Sequence, residues 1–158
     1  MKLPIPILIL LIFMAFACKM SDHQELTIEN IKGNWYFIDS ICDPDPDADN
    51  KNYVELTFTD SLMIYYSYYP GLGPMYWTYE LTQDSIIING ENTNTVKIDV
   101  INENKISLGV YCNPLYSFEL QRMTNQENTL RKFKKDGELY DYLLANRERR
   151  YKVLKPFF

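Results

Sequence analysis

Histidine is almost missing from this chain: His23 is the only one among 158 residues. A single imidazole near the N-terminus excludes a histidine-rich zinc site and any Ser-His-Asp or Cys-His arrangement. Glycine is scarce as well, with six residues, and none falls into a phosphate loop or a dinucleotide fingerprint. Gly71-Leu72-Gly73, bracketed by prolines, reads as a hairpin loop. Long apolar runs are limited to Leu3–Ala17, whose 15 residues fall short of the ~20 needed to cross a bilayer comfortably. Clustered basic residues are missing from the body. Residues 19–123 carry 6 basic and 16 acidic side chains, net −10. An acidic body argues against nucleic acid as a partner, because phosphate binding needs clustered Lys and Arg. The balance reverses in residues 124–158, with 9 basic and 5 acidic, net +4. That tail suits anionic lipid head groups. In the simpler account it is a solvated helix lying against the acidic remainder.

Lys2 is the only charge before the apolar run, and Ala17 stands directly before Cys18. A charged start, a short apolar stretch and a small residue at its end describe a secretory signal. The segment resembles a bacterial lipoprotein signal. That resemblance implies cleavage after residue 17, a lipid on Cys18 and a lipidated leader over 18–32. The expected location is the bacterial cell envelope, at the outer membrane or cell surface. Cysteine number fits this division. Of the three cysteines, Cys42 and Cys112 remain as an even pair in an oxidising compartment. Their bridge would close a long loop, worth ~2–4 kcal/mol.

Thr27 is placed to cap a short helical turn through Asn30. From Gly33 onward the pattern is period-two alternation broken by turn residues, the mark of antiparallel strands. Strands are predicted at 33–41, 52–59, 62–69, 75–82, 85–89, 95–101, 105–111 and 115–123. Each shows one apolar face and one wetter face; on 52–59 the apolar face is Val54, Leu56 and Phe58 against Tyr53, Glu55 and Thr57. Eight strands linked by hairpins bury their apolar faces best by closing into a barrel, which removes both sheet edges. The predicted class is therefore all-β, an eight-stranded up-and-down antiparallel barrel over 33–123 with a helical C-terminal extension over 124–158. Connections alternate between tight turns, at 60–61, 83–84 and 102–104, and longer loops, at 42–51, 70–74, 90–94 and 112–114. One end is thus closed and the other is the expected mouth.

Gly33-Asn34-Trp35 after the leader turn, and Arg122 near the end of the last strand, resemble the lipocalin superfamily, in particular lipocalin-like lipoproteins of Bacteroidetes. The resemblance implies that Trp35 and Arg122 stack at the closed end as a barrel-closing cation–π pair. Facing Trp35 with Arg122 sets Phe37 opposite Leu120 and Cys42 opposite Leu115, close to Cys112. It also implies a non-catalytic protein without a cofactor that binds a small apolar or amphipathic ligand. Tyr66, Tyr68, Trp77, Tyr79 and Tyr116 are the expected cavity residues, either lining a ligand site or simply filling the barrel, while Tyr65, Tyr69 and Tyr76 are expected to point outward, where they suit a protein or glycan contact.

Asp43, Asp45, Asp47 and Asp49 alternate like the start of a calcium loop. However, Ala48 and Val54 occupy the positions that need glycine and glutamate, so no metal is expected and the segment reads as a solvated lid. In the tail, helices are expected at 126–135 and 138–151 with a break at Asp136-Gly137. Leu139, Tyr142, Leu143 and Asn146 form a stripe that would dock on the barrel wall near Tyr36 and Ile38. The competing function is a protein-binding lipoprotein, of inhibitor or immunity type, that uses the mouth loops. An enzyme with paired carboxylates is a third, unsupported option.

Overall fold

The computed structural model describes residues 25–42, 51–67, 73–110, 112–125, 129–130 and 136–157. The signal segment, Cys18, the aspartates at 43–49 and Tyr68 lie outside the described residues. Thr27 caps a one-turn helix, α1 (Ile28–Ile31), by accepting the Asn30 N–H through its hydroxyl. Eight strands follow: β1 (Gly33–Asp39), β2 (Asn52–Phe58), β3 (Leu62–Ser67), β4 (Met75–Leu81), β5 (Ser85–Asn89), β6 (Thr93–Asn102), β7 (Lys105–Gly109) and β8 (Ser117–Arg122). Each pairs antiparallel with its neighbour, and β8 pairs with β1 to close the barrel. The chain is an eight-stranded up-and-down barrel with a C-terminal helix, as the alternation predicts.

The strand ends differ from the expectation where local hydrogen bonds redirect the chain. Strand β1 stops at Asp39, whose Oδ1 accepts the N–H groups of Ile41 and Cys42 at 2.8 and 2.9 Å. Strand β8 begins at Ser117 because the residues just before it are tied into turns: Asn113 N–H donates to the Val110 carbonyl and Tyr116 N–H to the Asn113 carbonyl. Strand β6 starts early, at Thr93, which pairs with Asn89 across a three-residue connection.

The tail holds one long helix, α2 (Asp136–Leu154), followed by a 3-10 turn at Lys155–Phe157. The break expected at Asp136-Gly137 is the start of this helix instead. Most of the helix expected at 126–135 lies outside the described residues. Leu139, Tyr142 and Asn146 face the barrel as the stripe predicts, and the same face continues through Arg149 and Val153. Leu143 does not belong to it: one residue past Tyr142 is 100° around the helix, and Leu143 is exposed. Tyr36 and Ile38 pack beside Tyr53 and Leu154, as expected of them.

Helix α2 corrects the reading of β2, which is buried along its whole length, on both faces. The face given to solvent, Tyr53, Glu55 and Thr57, is covered. Glu55 is the buried centre of this contact. Its Oε1 accepts Arg149 Nε at 2.6 Å and the Tyr53 hydroxyl at 3.0 Å. Its Oε2 accepts the Tyr142 hydroxyl at 2.9 Å and Arg149 Nη2 at 3.0 Å. A bidentate guanidinium and two phenols thus satisfy the carboxylate away from water. Burial, and then the charge of Glu55, push the Tyr53 and Tyr142 phenols far above their ordinary value. Burial pulls Arg149 down, but the hydrogen bond and charge of Glu55 outweigh it and the net shift is upward.

Candidate binding cavity

The closed end is assembled from β1, β8 and α1. Trp35 pairs with Arg122 in the ladder, and the guanidinium carbon lies 4.1 Å from the centre of the indole ring. The indole N–H donates to the Ile31 carbonyl at 2.7 Å. Arg122 donates to the carbonyls of Lys32, Asn30 and Glu103, so one fork ties the leader turn and the β6–β7 turn together. Gly33 makes this approach possible. Its φ is +137°, and a β-carbon there would stand 2.5 Å from Arg122 Nη1. Above this plug, Phe58 meets Tyr79 edge-on at 5.5 Å, and the Tyr79 hydroxyl donates to the Thr59 carbonyl at 2.6 Å. Burial raises that phenol to about 12, helped by the charge of Asp60.

The other half of the interior is open. A cavity of about 800 Å³ occupies the mouth end. Its walls are mainly apolar: Phe37, Leu56, Met63, Tyr65, Trp77, Ile88, Val96, Leu108 and Phe118. Polar groups, including Asp39, Ser67, Glu91, Asn92 and Asn94, come from residues at or near the strand ends around the mouth. Two aromatic pairs stand in the wall, Phe37–Phe118 at 4.6 Å and Tyr65–Trp77 at 5.7 Å between ring centres. Gly90 gives Trp77 room, since a β-carbon there would meet the indole at 2.9 Å. A disulfide between Cys42 and Cys112 joins the two chain segments leaving β1 and approaching β8. The Trp35–Arg122 register therefore does bring these cysteines together, but through turns rather than a continued ladder, and Leu115 projects into solvent.

Of the five residues expected in the cavity, Trp77 is in its wall. Tyr79 points inward but is spent on the floor, against Phe58. Tyr66 is a correction: it lies on the outer face, buried beneath α2 and edge-on to Tyr142 at 5.3 Å. Tyr116 is a second correction, since it precedes β8 and is 56% exposed. Tyr65, expected outside, takes the inward place expected of Tyr66. The two-residue turn at 60–61 carries the missed signal: it sets Phe58 opposite Met63 and therefore Leu56 opposite Tyr65. With tyrosine at both 65 and 66, composition could not choose between the faces.

Among the described residues, no group of three His, Cys, Asp or Glu side chains could hold a metal, and no helix is long and apolar enough to cross a membrane. Comparison with known proteins yields no match to a family profile, to a curated protein or to a solved structure.

Proposed function

We propose that this chain is a lipid-anchored, lipocalin-like lipoprotein of the bacterial envelope that binds a small apolar or amphipathic ligand in its barrel, without catalysis. The observation that carries this reading is the mouth-end cavity. At about 800 Å³ it lies within the ~300–1,000 Å³ typical of small-molecule sites, and it has their character of apolar walls with a few polar groups. The anchor is supported by cysteine use. With Cys42 and Cys112 bonded to each other, Cys18 is the cysteine left over, and it directly follows the apolar run. A second reading has its own observation. Leu115 is 90% exposed, and Ile41, Met75, Tyr76 and Tyr116 are exposed around the same end, an apolar rim suited to a protein partner.

Mild-detergent extraction of the full chain from a bacterial host, followed by native mass spectrometry, tests both halves of the proposal. The expected species begins at Cys18, carries acyl mass that Cys18→Ser abolishes, and retains a small molecule. A chain that keeps its first 17 residues without acylation contradicts the anchor. An extracted chain that neither retains a ligand nor takes up neutral alkyl probes, but captures a protein through Leu115 and Tyr116, favours the second reading.

A further inference from the structure

We infer that the ligand carries a positive charge: an amphiphile whose apolar body fills the cavity and whose cationic head lies at the mouth, beside Asp39 and Glu91. This inference rests on the cavity-binding reading and specifies its ligand class. The cavity wall contains two carboxylates and, among the described residues, no lysine or arginine. Asp39 is the more telling of the two. It is only 3% exposed, and among the described residues no cationic side chain forms an ion pair with it. Its Oδ1 accepts the Ile41 and Cys42 N–H groups, a task that an asparagine oxygen performs equally well. The turn therefore does not require a carboxylate at this position. Lys51, which immediately precedes β2 at this end, is turned to the outer wall, its ammonium 3.6 Å from the centre of the Phe157 ring.

The aromatic wall points the same way. Ring faces are negative, so Trp77 and Tyr65 attract an ammonium group and repel an anionic one. A carboxylate or phosphate head would meet Asp39 and Glu91 with no compensating cation. A long-chain amine or quaternary ammonium is accommodated by both features.

The test uses the mature lipidated protein in nanodiscs of zwitterionic phosphatidylcholine, with empty discs as the partition control. Isothermal titration with decanol, decyltrimethylammonium and decanoate compares one chain length under three head charges. The expected result is saturable decanol binding, with the ammonium at least ~10-fold tighter than the carboxylate, a modest share of what one nearby opposite charge supplies at low dielectric. Asp39→Asn with Glu91→Gln should bring that ratio close to one, with circular dichroism and the intact disulfide reporting the fold. Asp39→Asn alone should account for most of the change. If decanol binds but decanoate matches or exceeds the ammonium, the charge inference falls and cavity binding stands. If the ratio survives in the folded double variant, the assignment to these carboxylates is wrong. If none of the three binds, cavity binding itself falls.

Discussion

The chain has two tryptophans, and they stand at opposite ends of the barrel in opposite circumstances. Trp35 is completely buried, its N–H bonded to Ile31 and its ring covered by Arg122. Trp77 is half-buried on the wall of an open cavity. Around Trp35 each polar group serves to hold elements together: the Arg122 fork alone reaches three carbonyls. Around Trp77 the polar groups sit near the mouth and the apolar surface faces space. The contrast teaches that this fold concentrates its stability at the closed end and along the helix-covered wall. The mouth is held by the disulfide, and its interior is left unfilled.

Truncation at the two tryptophans should separate these roles most sharply. Trp35→Ala removes a fully buried ring and should cost ~3–5 kcal/mol in urea unfolding. Trp77→Ala should cost much less and instead weaken neutral-ligand binding by about tenfold or more, since a half-buried wall ring has little packing to lose. Equal losses of stability would erase the contrast. On the covered wall, Glu55→Gln leaves Arg149 largely buried without its carboxylate and should cost ~3 kcal/mol, with faster amide exchange along α2. Removing the bridge by Cys42→Ser with Cys112→Ser should cost ~2–3 kcal/mol and loosen the mouth while the Trp35 fluorescence stays that of a buried ring.

The smallest expected effect is at alkaline pH. Tyr53, Tyr142 and Tyr79 all have phenols raised above the ordinary 10.0. Unfolded tyrosine therefore loses its proton first, and the folded state binds more protons above that value. The stability these groups contribute is complete below pH 10 and declines above it; the share of Tyr79 is lost as pH rises through about 12, and those of Tyr53 and Tyr142 go on falling at higher pH. Unfolding curves measured across this range should show the decline. Constant stability would mean that these phenols are not shielded as described.

Strand count, barrel closure and the separation of closed end from mouth were legible in the sequence, because alternation and turn length are local properties. The Trp35–Arg122 register was not local in this sense: it followed from the resemblance carried by Gly33-Asn34-Trp35 and Arg122, and the ladder pairs these two residues. The cavity wall was read only in part. At Tyr65 and Tyr66 both faces carry the same residue type, and only the adjoining hairpin sets the parity. Alternation with apolar residues places Glu55 on the solvent face, because an acidic residue in such a pattern ordinarily is exposed. Nothing local to β2 announces that Arg149, 94 positions later, will cover it. Long-range partnering of this kind depends on where α2 docks. Spacing within the helix gives its apolar stripe but not the strand beneath it.

Tryptophan fluorescence during a decanol titration tests the central claim, that the mouth end is a binding cavity and the closed end is sealed. The emission should shift and saturate in the wild-type protein. Trp77→Phe should abolish that change and leave the steady signal of Trp35. A change that persists in Trp77→Phe, or no saturable change in a folded wild-type protein, would contradict the account.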